Sequence, residues 1–213
     1  MSGSLPNVMN SMTQPINEAS QPHHCAGETR SDLRQRLLRL RQSTPQVQRD
    51  EWDKKIAEQV LLWCKANTPT TLGLFAPIRG EPDLCQIYPQ LHALGMRLSL
   101  PIVRDKRLQS AQPLEFLQWQ PGEKMTRDAY NIPVPQDQRT CQPDVFLIPC
   151  VGFNAKAYRL GYGGGYYDRT LAAAPNAIAL GVAYQLNFCE FCEERYDRPM
   201  TQILTEQGRF LAQ

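Results

Sequence analysis

Leucines recur at helical spacing shortly after residue 30. Leu33, Leu37 and Leu40 share one stripe of a polar segment, and that periodicity predicts an amphipathic helix over residues 30–42. Ser43-Thr44-Pro45 then reads as a stop and a restart, with Thr44 a cap and Pro45 suited to the first position of a second helix. That helix is expected over about 45–65, carrying Val47, Ile56, Val60 and Leu61. Short apolar runs follow and predict strands over 71–75, 97–103, 114–119, 177–183 and 202–205. The run Val145-Phe146-Leu147-Ile148 has no polar alternation, as expected of a strand buried on both faces. Helices are expected over 82–95, ending at Gly95, and over 166–173 behind a glycine-rich loop. Strands alternating with helices predict an α/β fold with a mainly parallel sheet flanked by helices on both faces. A ligand is then expected beyond the carboxyl ends of the strands. No internal repeat interrupts this pattern.

The first 29 residues break the pattern. They are rich in Ser, Asn, Gln and Pro and poor in large apolar residues, which predicts a disordered tail over 1–29 and a single domain over 30–213. No Lys or Arg precedes Arg30, which opposes a secretory or mitochondrial leader. His23, His24 and Cys25 read as an incidental cluster. The formal net charge of +2 in 213 residues demands neither a nucleic acid nor a membrane, and no apolar run approaches the length of a membrane span. Seven cysteines in no framework spacing suit a reducing cytoplasm. The one C-x-x-C, Cys189 and Cys192, fits a redox pair, half of a zinc site, or two ordinary thiols.

Chemistry concentrates in Arg159-Leu160-Gly161-Tyr162-Gly163-Gly164-Gly165-Tyr166-Tyr167-Asp168. Glycines let a backbone approach a ligand closely. Consecutive N–H groups leading into a helix form an anion site suited to phosphates. Arg159 adds a fork of donors, and Asp168 is a candidate ligand for the Mg²⁺ that accompanies ATP. The segment is neither a P-loop nor a dinucleotide fingerprint. In the first helix, at about 100° per residue, Arg34 and Arg41 lie about 40° and 20° from Arg30. These three arginines border the leucine stripe and either reach a cleft or form a basic solvated face, whereas Arg36 and Arg39 point to solvent. Glu81, at the end of the first strand, is placed either to accept from the N–H groups of a heterocycle or to serve as a helix N-terminal acid.

The block Arg159-Leu160-Gly161-x-Gly163-x-Gly165-Tyr166-Tyr167-Asp168 resembles the signature of the 5-formyltetrahydrofolate cyclo-ligase family. Arg30-x-x-Leu33-Arg34 resembles that family's Lys-x-x-Leu-Arg, and Glu81 with Asp83, Gly95-Met96-Arg97 and Tyr130-Asn131-Ile132-Pro133-Val134-Pro135 also correspond. The likeness runs from about Arg30 to Thr205. It implies ATP-dependent closure of 5-formyltetrahydrofolate to 5,10-methenyltetrahydrofolate, by a cytoplasmic monomer that acts on small molecules and takes MgATP as co-substrate, with no nucleic-acid or membrane partner. By the same resemblance ATP is bound by Arg30, Arg34, Arg159, Leu160, Gly161, Tyr162, Gly163, Gly164, Gly165, Tyr166 and Tyr167. Folate is bound by Glu81, Tyr162, Gly163, Gly164, Gly165 and Tyr166. Mg²⁺ is bound by Asp168, and Arg34, Arg159 and Tyr166 carry the catalysis. Two positions depart from the pattern: Arg30 stands for the usual Lys, and Thr201 stands where a second metal-binding Asp often lies. A non-catalytic folate or nucleotide binder, a sugar-phosphate isomerase and an RNA-binding module are the rival readings.

Overall fold

A computed structural model describes residues 28–105, 107 and 112–212. The expected tail lies outside the described residues as far as residue 27, and His23, His24 and Cys25 lie outside them too. α1 (Arg30–Ser43) is capped by Thr29, whose hydroxyl accepts from the Asp32 amide at 3.2 Å. α1 buries Leu33, Leu37 and Arg41. Leu40, expected on that stripe, is instead 43% exposed. The buried line keeps strict i, i+4 spacing, and the third place on it belongs to an arginine.

α2 (Gln46–Asn67) starts behind Pro45. Thr44 does not cap it: the hydroxyl turns back and donates to the Leu40 carbonyl at 3.1 Å, closing α1 instead. The expected helix over 82–95 is also shorter. A single 3-10 turn, Cys85–Ile87, precedes α3 (Tyr88–Ala93), because the Asp83 carboxylate accepts from the Cys85 amide and holds a local turn. Gly95 stops the segment as expected, at φ +88°.

The strands, in chain order, are β1 (Thr71–Gly73), β2 (Arg97–Ile102), β3 (Glu115–Trp119), β4 (Met125–Arg127), β5 (Pro133–Pro135), β6 (Thr140–Cys141), β7 (Val145–Pro149), β8 (Gly152–Phe153), β9 (Arg159–Leu160), β10 (Ile178–Val182), β11 (Gln202–Thr205) and β12 (Gly208–Leu211), with α4 (Tyr166–Ala173) between β9 and β10. Eight form one sheet, in the order β12-β11-β10-β7-β1-β2-β3-β6. Its five central strands, from β11 to β2, run parallel, and β12, β3 and β6 join antiparallel at the edges. β4 pairs with β5, and β8 with β9, as small separate ribbons.

Alternation along the parallel strands separates the two faces. Leu72, Leu98, Leu147, Leu180 and Val182 pack with α2 and α3 on one side. Phe146, Ile148, Ala179 and Ile203 pack with Leu171 of α4 on the other. α1 lies apart from both layers and closes on Val151, Leu160 and Cys189 through Leu33 and Leu37. Cys189 is thereby a packing residue, its thiol pushed up to about 12 by burial, whereas Cys192 is exposed. No helix among the described residues is long and apolar enough to cross a membrane.

One polar contact ties α2 to the chain beyond β10. Asp53 accepts from the Tyr184 hydroxyl at 2.7 Å, with the Trp52 ring against Tyr184. Burial pushes the Asp53 carboxyl up to about 6, against the hydrogen bonds from Tyr184 and the Asp83 amide. A raised carboxylate pKa means that the folded state holds the proton more tightly than the unfolded chain, so this residue's contribution to stability falls as pH rises from the unfolded to the folded value. We therefore expect Asp53→Asn to gain stability relative to the parent between about pH 4 and pH 7, and to hold a constant difference above that. Denaturant unfolding of both proteins across that range checks this, and a difference that ignores pH would contradict it.

Candidate active site

β1 and β7 are adjacent and parallel, but the chain leaves them in opposite directions along the sheet. β2 lies on the far side of β1, and β10 on the far side of β7. The loops beyond their carboxyl ends part and leave a crevice between them, which is where open parallel sheets bind ligands.

The loop after β1 is shaped by a tight turn. Arg79 and Gly80 both take positive φ, +50° and +73°, and the Glu81 amide donates to the Ile78 carbonyl at 3.0 Å. Two successive left-handed residues make a turn of the I′ kind, for which glycine is suited and arginine is not. The turn swings Glu81 inward until it is only 5% exposed. One carboxylate oxygen accepts from the Ile78 amide at 2.9 Å, the other from the Tyr162 hydroxyl at 2.7 Å. Burial pushes the Glu81 carboxyl above its ordinary value, opposed by those two hydrogen bonds and by the charges of Arg41 and Arg79.

The glycine loop enters from β9, the second strand of a hairpin that follows β7. Its first carbonyl, on Gly161, accepts from Arg34 Nε at 2.8 Å. A Cβ on Gly163, which takes φ +95°, would stand 3.6 Å from the Arg34 guanidinium carbon. Burial, and then the neighbouring Arg30, hold the Arg34 pKa below its ordinary value, while Glu194 and Asp197 oppose the shift. Gly165, at φ +64°, is the N-cap of α4, so the loop's amides run straight into a helix N-terminus. Arg169 reaches back from α4 to the Gly164 carbonyl at 2.9 Å and lies over the Tyr166 ring.

Arginines and carboxylates alternate around this loop. Buried Arg159 pairs with Asp168 at 3.0 Å and lies over the Tyr167 ring. Arg30 pairs with Asp197 at 2.7 Å. The Tyr166 hydroxyl meets that of Tyr130 at 3.2 Å, with the rings edge to face. Leu160 is fully buried in the small core under α1, so only its backbone faces the loop. Arg39 is exposed as expected, whereas Arg36 folds onto Glu28 at 3.1 Å instead of pointing to solvent.

The residue that motif reading passed over is Arg41. It was placed on the arginine line of α1 but given no role. It is 1% exposed, and its guanidinium donates to Cys150 O at 3.1 Å, to Arg79 O at 3.3 Å and to the Tyr162 hydroxyl at 2.8 Å. The signal was the 33, 37, 41 spacing. Tyr130, from the segment that resembles the family, and Asp197, near Thr201, also reach the site, against Tyr166 and Arg30. Thr201 sits at the amino end of β11, where its amide donates to Ala179 O and its hydroxyl accepts from Ala179 N. It spends its polar groups on strand pairing. A cavity of about 130 Å³ beside His92, Arg97 and Trp119 lies at the amino end of β2, away from the crevice.

The family model of the 5-formyltetrahydrofolate cyclo-ligase family matches residues 26–206. The chain belongs to that family. It is 29% identical over 192 residues to the 5-formyltetrahydrofolate cyclo-ligase of Mycolicibacterium smegmatis, covering 86% of this chain and 97% of the relative. It is 30% identical over 176 residues to the enzyme of that name from Escherichia coli K12, covering 78% and 94%. The solution structure of Aquifex aeolicus 5,10-methenyltetrahydrofolate synthetase superposes with a TM-score of 0.74 at 25% identity, covering 86% of this chain and 93% of that one. The likeness extends over most of the α/β fold described above.

The left-handed cap sets a local expectation. Gly165→Ala places a Cβ 2.8 Å from Arg169 Nη1 at a φ that L-residues resist, and should cost about 1 kcal/mol or more. Gly165→Asn should cost less, because asparagine tolerates that conformation. Denaturant titration of the two variants tests the order, and equal stabilities would refute it.

Proposed function

We propose that this chain uses ATP to close 5-formyltetrahydrofolate to 5,10-methenyltetrahydrofolate, releasing ADP and phosphate. Family membership supports the reaction class. The observation that carries the assignment to this crevice is the direct hydrogen bond from Tyr162, in the glycine loop, to Glu81, in the loop after β1. It joins a loop suited to phosphates to a buried carboxylate suited to the N–H groups of a heterocycle.

A formyl oxygen bonded to an amide-like carbon is a poor leaving group. In this reading the formyl oxygen of 5-formyltetrahydrofolate attacks the γ-phosphorus of ATP, and ADP departs. N10 then attacks the activated carbon and gives up its proton, and phosphate leaves as the bridge closes. Holding N10 against that carbon makes ring closure unimolecular. Phosphoryl transfer needs positioning and charge neutralisation more than it needs a base. Arg34, Arg159 and the amides of 160–167 supply donors for the triphosphate, with Arg30 beside them; a fork at position 30 in place of an ammonium group allows a bidentate contact. Glu81 takes the pterin edge, and Tyr166 lines the path between the two substrates.

Mg²⁺ fits as a companion of the nucleotide rather than as a resident ion. No group of three metal-ligating side chains occurs among the described residues, and magnesium commonly needs only one or two carboxylates beside substrate phosphates. Asp168 would hold it, with Asp197, the residue before Arg198, as the candidate second carboxylate; the Arg198 amide itself donates to Asp168 at 3.3 Å. The ion would supply charge neutralisation on the phosphates. In this reading Asp197 stands in for the carboxylate absent at Thr201, whose hydroxyl accepts from the Ala179 amide. Six free cysteines among the described residues suit a reducing cytoplasm, and we place a monomer there.

The protein should form methenylfolate, followed by its absorbance, only when ATP and Mg²⁺ accompany 5-formyltetrahydrofolate. Arg34→Ala and Asp168→Ala should each lower turnover by about 10²-fold or more, Arg34→Ala with unchanged melting behaviour and Asp168→Ala with a lower melting temperature, because buried Arg159 loses its partner. Parental rates in both variants would remove the site assignment, and absence of ATP-dependent product in the parent would remove the function.

A further inference from the structure

The cyclo-ligase reading gives roles to residues that would touch ATP or folate, but leaves out the most buried charge in the crevice. Arg41 lies 1% exposed between three segments that diverge from the sheet. A buried guanidinium is tolerated only where its donors meet acceptors. Here the acceptors are the carbonyl just past β7, the carbonyl of Arg79 in the strained turn after β1, and the hydroxyl of Tyr162. The same hydroxyl passes its own hydrogen to Glu81 at 2.7 Å. Because Tyr162 receives from Arg41, its single O–H is oriented toward the carboxylate. Position and direction of the Glu81 carboxylate therefore depend on a group that no substrate would touch.

Resting on that reading, we propose that Arg41 is the positioning residue of the folate half of the site, acting through the Tyr162 hydroxyl to hold Glu81 in place and ready to accept. Arg34, about two turns earlier on α1, serves the other side of the loop through Gly161. One helix thus sets both halves of the crevice, by separate residues. The division makes the effect of Arg41 selective: it bears on folate and spares the nucleotide.

The charged and titratable groups around Glu81 are Arg41 from α1, Arg79 from its own turn, Tyr162 from the glycine loop, Tyr167 from α4 and Cys150 beyond β7. Burial raises the Glu81 pKa, and Arg41 is one of the groups that hold it down. Removing Arg41 raises it further, so a step that needs ionised Glu81 loses its acid limb at a higher pH.

The test is steady-state kinetics of the full chain against 5-formyltetrahydrofolate and against ATP, over a range of pH, for the parent, Arg41→Met, Arg41→Lys and Tyr162→Phe. For Arg41→Met we expect the KM for 5-formyltetrahydrofolate to rise about tenfold, the KM for ATP to stay within about twofold, and the acid limb of kcat/KM for folate to move up by about half a pH unit or more. Arg41→Lys should restore the acid limb in part, by keeping the charge. Tyr162→Phe leaves the Arg41 bonds to the two carbonyls and should move the folate KM and the acid limb in the same direction as Arg41→Met; if Arg41→Met fails to fold, Arg41→Lys decides the matter, by a folate KM raised above the parent with an unchanged KM for ATP. Equal rises in both KM values, or an acid limb that stays at the parental pH, would overturn the role of Arg41 while leaving the cyclo-ligase reading intact. A parent protein without ATP-dependent product would overturn both.

Discussion

Burying the Arg41 guanidinium takes a full charge and five N–H donors out of water, and the fold must replace what water supplied. It does so with acceptors from three segments: the end of β7, the turn after β1, and the glycine loop. Satisfying one charge therefore fixes the geometry of a crevice whose walls come from residues 41, 79, 150 and 162. The strain at Arg79, a non-glycine residue at φ +50°, belongs to the same arrangement, because its carbonyl is one of the acceptors and its guanidinium lies over the Tyr162 ring. The surrounding apolar packing makes the burial possible: Leu33 and Leu37 press α1 onto Val151 and Leu160, and Arg41 follows on the same line into the polar gap.

The sheet itself imposes the location. Parallel strands need crossovers, and where successive crossovers leave in opposite directions the loops separate. β1 and β7 are that pair, and both Glu81 and the glycine loop follow them in sequence. The hairpin of β8 and β9 brings the glycine loop back across the opening, and the short α4 then carries its N-terminus away over the far face. The site is thus a product of strand order, with side chains added at the loops.

Long, periodic or continuous patterns were legible in the chain. α4 and β11 fall at the expected residues, α1 and the strands of the parallel core within a residue or two, because each buries a continuous apolar face. The glycine block announced itself through composition. What escaped was structure whose cause is distant. β4, β5, β6, β8 and β9 have two or three residues each and exist through pairing rather than pattern. Tyr162 and Glu81 lie 81 positions apart, and no periodicity links them. Leu40 is exposed against expectation, and Arg41 takes the cleft alternative left open for it, because a stripe of leucines describes where apolar groups are available, whereas the buried polar gap selects a donor. The helix expected over 82–95 is shorter for the opposite reason: its composition suits a helix, but the Asp83 side chain offers the backbone a competing turn.

Around the fixed contacts of Arg41, the remaining site charges are arranged as exchangeable pairs. Arg159 is buried against Asp168, and Arg30 against Asp197. A guanidinium buried without a partner would be costly, so a site that must receive anions needs a substitute while it waits. Carboxylates provide it. On the proposed cyclo-ligase reading an arriving triphosphate would take over the guanidinium donors, and Asp168 would be free to hold the divalent ion that travels with the nucleotide. The charge balance of the pocket is then similar before and after binding, which limits the desolvation that binding must overcome. Arg41 and Glu81 lie outside this exchange because their bridge is a tyrosine hydroxyl, and a phosphate has no reason to displace it. The folate side can accordingly stay preorganised while the nucleotide side trades partners, a division that suits a reaction in which one substrate must be held still while a phosphoryl group moves to it.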